Sequence, residues 1–158
     1  MRPIICLSLV PLALAAGCAR APTPNEFLTK AIQGDNSEMM LGALAATKGG
    51  PAVAEYGRTL ETDHTRARAA AVAVAAHYGM TPPTDMLPEA RKEQTKLEGL
   101  SGSDFNKEFA SYMVKDHESD ISDFEKEANS DAPADVKKLA QDALPDLRKH
   151  LAMARRST

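Results

Sequence analysis

Residues 51–78 read PAVAEYGRTLETDHTRARAAAVAVAAHY, and this stretch decides the fold. Val53, Tyr56, Leu60, His64, Ala67, Ala71, Val74 and Tyr78 follow one another at intervals of three or four, the spacing of a single face of an α-helix. Pro51 suits the first turn, where its missing N–H has no helical acceptor to lose, and Gly79 ends the pattern. A helix this long with one apolar stripe needs other helices to cover it.

Those helices lie on both sides in sequence. Upstream, from 25 to about 48, Phe27, Ala31, Leu41, Leu44 and Ala45 keep helical spacing until Gly49-Gly50-Pro51, with a weak middle expected at Gly34-Asp35-Asn36. Downstream, Thr81-Pro82-Pro83-Thr84-Asp85 reads as a turn and 88–97 as a short helix ending at Gly99. Ser101 to Asp104 then supply a cap, and Phe105, Phe109, Met113, His117, Ile121 and Phe124 mark one face of a third long helix, which stops at Asn129-Ser130-Asp131. A fourth begins at Pro133 and turns Val136, Ala140, Ala143, Leu147, His150 or Leu151, and Ala154 inward. Pro145 inside it predicts a kink or a break near Leu144. No alternating strand pattern occurs, so the expected fold is all-α, an up-and-down four-helix bundle with a short extra helix between its second and third helices.

Composition agrees. Only 4% of residues are aromatic and Trp is absent, and 19 basic against 22 acidic side chains give a net charge of -3. That balance provides no basic field, so nucleic acid is not an expected partner. Both cysteines, Cys6 and Cys18, precede the helices, so disulfide, thiolate-metal and cysteine-nucleophile chemistry are excluded from the domain. At 158 residues there is room for one domain with a core of its own.

The amino terminus carries an address. Met1-Arg2 is a short positive start, Ile4 to Ala16 are mostly apolar, and Ala15-Ala16-Gly17-Cys18 closes the run with small residues. The apolar run falls short of the roughly 20 residues of a membrane span. Leu14-Ala15-Ala16-Gly17-Cys18 resembles the bacterial lipobox, which implies cleavage before Cys18 and acylation of that cysteine. Residues 1–18 then form a signal peptide ending at the lipobox, 19–24 a proline-containing tether, and 25–156 the helical domain. The lipobox usually has Leu where Ala15 stands, and ordinary cleavage after Ala19-Arg20-Ala21 would instead leave a soluble periplasmic protein. With lipidation, Ala19 directs the chain to the periplasmic side of the outer membrane, so the expected partner is the membrane through a lipid anchor on Cys18. A protein partner and a homo-oligomer are left open.

Three of the four histidines fall on the apolar stripes. Glu61 and His64 stand three apart on one helix face, Asp116 adjoins His117, and Asp146 precedes His150 by four. At 1.5 Å per residue, His64 and His117 both sit roughly 21 Å from the same end of the bundle. Glu38 falls within about one turn of that level and His150 more than one turn beyond it. Glu38, Glu61, His64, Asp116, His117 and His150 are therefore candidate ligands of a divalent transition metal, Zn, Cu, Ni or Fe, with Asp63, Glu118 and Asp146 as polar-core partners. The other reading is a set of buried imidazoles satisfied by neighbouring carboxylates, with no ion. Only one Glu-x-x-His is present, so a carboxylate di-iron site is not indicated. His77 reads as a helix-terminal cap, and the scattered methionines as core filler.

With these residues laid out, the stretch 25–155 resembles the domain-of-unknown-function family 4142. The resemblance rests on Leu60-Glu61-Thr62-Asp63-His64, on Tyr112-Met113-Val114-Lys115-Asp116-His117-Glu118 with Phe124-Glu125, and on Ala143-Leu144-Pro145, Leu147 and His150-Leu151. It implies an exported, ferritin-like up-and-down bundle with Asp-His pairs on its second and third helices. Met39-Met40 stands where such proteins often carry a second Glu. No catalytic triad, phosphate loop or nucleophile elbow is present, so catalytic residues are not assigned. The leading expectation is a non-enzymatic, membrane-tethered accessory protein of the periplasm, stress-related or metal-interacting. A ferritin-like metal-binding protein or metalloenzyme, and a purely structural or partner-binding module, are the alternatives.

Overall fold

The structure, a computed structural model, describes residues 22–157; Cys18 and the rest of the export segment lie outside the described residues. Five helices follow in order: α1 (Pro24–Lys48), α2 (Pro51–His77), α3 (Pro88–Glu98), α4 (Gly102–Ala128) and α5 (Ala134–Arg156). Among the described residues there is no strand, and no helix is long and apolar enough to cross a membrane. α1 begins one residue before the expected domain start because Thr23 and Glu26 cap each other. The Thr23 hydroxyl accepts from the Glu26 N–H, and the Glu26 carboxylate accepts from the Thr23 N–H at 2.6 Å.

α1 packs along α2 and α4 along α5, and the two pairs face each other. α1 and α2 touch through backbone. A Cβ on Gly42 would stand 2.7 Å from the Gly57 carbonyl oxygen, and one on Gly57 2.5 Å from that of Gly42. Neither position has space for a side chain. This approach brings the last third of α1 directly against the first third of α2.

The weak middle expected at Gly34-Asp35-Asn36 does not form, and α1 runs through it unbroken. Asp35 is buried because it turns to His64, and Asn36, with Ser37, because it receives the α2–α3 connector. Asn36 Nδ2 donates to the carbonyls of Pro83 (3.2 Å) and Asp85 (3.0 Å), Ser37 Oγ accepts from the Leu87 N–H, and Arg68 Nε donates to Asn36 Oδ1 at 2.6 Å. The connector thus closes the backbone bonds that a loop laid on a helix needs. Pro145 likewise leaves α5 continuous. Its ring lies on the solvent side, where water can satisfy the carbonyl it displaces one turn earlier.

The interior is divided. One apolar cluster, with Leu41, Tyr56, Leu60, Phe105, Phe109 and Met113, fills the end at the α1–α2 turn and is covered by Met86, Ala90 and Leu97 of the α3 region. Another, with Phe27, Leu28, Ile32, Ala71, Val136 and Ala140, fills the opposite end. Between them, at one level of all four long helices, lie the buried polar residues Asp35, Glu38, Asp63, His64, His117 and His150.

The glycine contact is expected to set the register of this belt. Gly57→Ala should cost about 1–3 kcal/mol through overpacking against backbone that cannot yield, measurable as a lower urea midpoint. An unchanged midpoint would show that α1 and α2 can separate freely.

Candidate metal centre

Each long bundle helix contributes one side chain to a single point. Glu38 comes from α1, His64 from α2, His117 from α4 and His150 from α5, with exposures of 1%, 5%, 0% and 1%. Each offers a donor atom, and these four atoms all lie within 4.8 Å of one another. His64 Nε2 is 2.9 Å and His117 Nε2 3.2 Å from Glu38 Oε2. Yet Glu38 Oε2, His64 Nε2, His117 Nε2 and His150 Nδ1 are buried without an aligned hydrogen-bond partner.

The outward ring nitrogens, by contrast, are all engaged. His64 Nδ1 meets Asp35 Oδ1 at 2.9 Å, His117 Nδ1 meets the Met113 carbonyl at 3.0 Å, and His150 Nε2 meets Asp63 Oδ2 at 3.0 Å. Carboxylates and carbonyls accept, so these outer nitrogens donate their N–H. In each neutral ring the inner nitrogen then carries a lone pair. Three lone pairs and a carboxylate oxygen converge on one point, and the anchoring of each ring by an outer acceptor is the arrangement that orients metal-binding histidines.

The electrostatics divide the groups. Burial opposes charge on Glu38, but His117 and His64 beside it outweigh that and hold its carboxyl down at about 2. Burial also opposes charge on His64, and Glu38 and Asp35 overcome it, so its pKa stands well above the ordinary value. His117 is lowered by burial, and His150 is lowered to about 4, chiefly by burial and against the pull of Asp63. Burial would raise Asp63, but Lys149 and His150 hold it below the usual carboxylate range. Without a metal, His64 is the imidazole that holds a proton.

Other expected residues lie elsewhere. Glu61 is exposed. It stands about 60° to one side of His64 on the helix and Asp63 about 100° to the other, and the inward sector of α2 turns toward Asp63. Glu118 is also exposed, paired with Arg155 at 2.8 Å, and half-exposed Asp146 pairs with Arg66 at 3.0 Å. Both acids lie on the rims of their helices, where long cations reach them. Asp116 is not among the imidazoles but stands with Glu38 and Asp120, their oxygens within 4.8 Å of one another; burial raises its carboxyl to about 9, with Glu38 and Asp120 adding to the effect. Asp120 is pushed up to about 7, first by burial and then by Glu38. His77 ends α2 as expected and faces Asp135 at 3.2 Å.

His150 was expected more than one turn beyond His64 and His117, but its ring centroid lies 5.1 and 5.4 Å from theirs. The reason is that α5 starts past the end of α4. Gln141, well inside α5, is the residue that reaches the last α4 carbonyl, at Ala128, while Asp135 extends to the end of α2 and accepts from Tyr78 Oη at 2.7 Å. Asp35 was missed as a partner of His64. Its i−3 spacing from Glu38 on α1 was the available signal, masked by the expected helix weakness.

Beside the centre, a cavity of about 260 Å³ opens at the α2–α5 seam. Its walls are mostly alanine, its floor is His64 and His150 with Asp35 and Asp63, and Arg66 and Asp146 stand at its rim.

If the imidazoles are placed for a cation, His117→Leu should leave the metal-free protein within about 1 kcal/mol of the parent, because it removes one of the facing lone pairs and keeps the volume. Thermal melts in chelator check this. A loss well above 2 kcal/mol would assign the ring a structural duty of its own.

The chain was compared with known proteins. The model of a family described as domain of unknown function (DUF4142) matches residues 10–156. No match was found among curated proteins or among solved structures. The helical bundle fits a ferritin-like fold. With nearly the whole chain matched, including the helices that carry Glu38, His64, His117 and His150, the protein belongs to the DUF4142 family.

Proposed function

We propose that this protein binds one divalent transition-metal ion through Glu38, His64, His117 and His150, and that holding this ion is its biochemical activity. One observation carries the reading: four buried donor atoms from four helices converge without hydrogen-bond partners while every outer ring nitrogen is anchored. A proton on His64 relieves only part of this arrangement, whereas a cation at the common point satisfies all four atoms. Three imidazole nitrogens and one carboxylate oxygen suit Zn²⁺ or Cu²⁺, with Ni²⁺ and Fe²⁺ fitting the same donor types less tightly. Four protein donors close a tetrahedral shell, which favours holding or buffering an ion over catalysis at an open coordination position. The lipobox-like segment ending at Cys18 supports placing this activity at the envelope, on the periplasmic side of a membrane.

The test is elemental analysis of the purified chain, prepared without chelator or His tag, beside the His64→Ala/His117→Ala double variant. About one ion per chain is expected in the parent and none in the variant; equal metal in both would refute the reading. A hundredfold excess of Zn²⁺ over its dissociation constant should add about 2.7 kcal/mol of stability, raising the melting midpoint by roughly 10 °C.

Binding should also depend on pH with a definite sign. His64 has its folded pKa raised, so across neutral pH the metal must displace its proton. Affinity should increase about tenfold per pH unit until that pKa is passed. A flat Zn²⁺ affinity between pH 6 and 8 would contradict proton displacement at His64.

A further inference from the structure

The imidazole centre is buried between four helices, so an ion has to reach it from outside, and two cavities lead toward it. The larger, at the α2–α5 seam, has mostly alanine walls and is lined by neither Glu38 nor His117. It touches His64 and His150, whose outer nitrogens are already engaged by Asp35 and Asp63 in the same wall. A smaller cavity, of about 40 Å³, opens at the α1–α4 seam beside the Lys30–Asp123 pair. Two of the metal donors themselves, Glu38 and His64, line it, together with Asp35, Asp120 and Asp123. That volume holds an ion with one or two waters.

Lys30, Gly34 and Glu38 line this smaller cavity from α1, each four residues after the last and so on one side of the helix. Lys30 pairs with Asp123 at 2.7 Å at the exposed end, and Glu38 is the donor at the buried end. Gly34 stands between them, about 6 Å from each along the helix axis. Glycine inside a helix is destabilising relative to alanine, and nothing in the fold requires it here. Its φ is not positive, and a Cβ built on it would meet nothing within 4 Å. What the missing side chain leaves is space in the cavity wall. We propose that this cavity is the passage by which the metal ion reaches the imidazole centre, with Gly34 keeping it open. The inference rests on the metal reading above. Asp123 and Asp120 offer oxygens that replace waters as the ion sheds its shell, and Glu38 is the ligand it meets next.

A passage governs rates and not equilibrium, so narrowing it slows entry and release by the same factor. The experiment mixes the metal-free full chain with Zn²⁺ in a stopped-flow instrument, follows uptake with a zinc-binding dye, and follows release by mixing the zinc-loaded chain with chelator. Gly34→Leu should keep one zinc at the parent's affinity while uptake and release both slow by about tenfold or more. Ala67→Leu and Ala143→Leu, which fill the larger cavity, should leave both rates as in the parent. If Gly34→Leu does not hold zinc at the parent's affinity, Gly34→Ala takes its place, with both rates slowed severalfold. Parent rates in the Gly34 variant that holds zinc overturn the passage alone, as does an equal slowing by the variants that fill the larger cavity. Loss of affinity in both Gly34 variants overturns it as well, because the position then belongs to the site and not to the way in. A parent that does not keep zinc overturns the metal reading and this inference with it.

Discussion

One carboxylate buried among three imidazoles is the constraint on which the rest of the structure depends. An ionised acid in a bundle interior is costly unless positive charge or aligned donors surround it. Glu38 has His64 and His117 within 2.9 and 3.2 Å and His150 in the same cluster. His64, the ring that holds a proton, cannot leave without stranding the charge on Glu38. The polar level therefore has to be met by all four long helices at once, which specifies their register as an apolar core alone would not.

Several features of the fold serve that requirement. The Gly42–Gly57 contact brings α1 against α2 one turn after Glu38 and two turns before His64. The connector after α2 docks on Asn36 and Ser37, beside Asp35 and Glu38. α5 extends past the end of α4 so that His150 falls beside His117. The two apolar clusters on either side of the polar level exclude water from it, and a drier interior strengthens each charge interaction within it. The outer acids Asp35 and Asp63 then do for the rings what acceptors do at known kinds of metal site: they choose the tautomer and aim the inner nitrogen. The same low-dielectric surroundings account for the split among the acids, since Glu38 faces imidazoles and stays ionised while Asp116 faces Glu38 and keeps its proton.

Much of this was legible in the residues. The stripes of three-and-four spacing located the four long helices, turn and glycine signals located the short one, and the histidines on the stripes marked the interior polar level. His64, His117 and Glu38 were placed near one height by counting rise per residue. Glu61 misled because an i, i+3 pair shares a side of a helix without sharing its buried sector, and which neighbour of His64 turned inward depended on where α5 lay. Glu118 and Asp146 misled for the same reason. Asp35 and Asp120 carried only weak signals, since an acid in the middle of a helix is ordinarily solvated.

The sequence by itself determined the all-helical class, the order and ends of the helices, the absence of cysteine chemistry from the domain, and the presence of imidazoles on the inward stripes. Periodicity and breaker residues act within a few turns of chain, so they are written locally. Only the tertiary structure decided which four side chains meet, that α5 slides past α4, and that the inner atoms lack aligned hydrogen-bond partners. Those outcomes depend on rotations of helices about their axes and on backbone approach between segments far apart in the chain, and no local spacing encodes either.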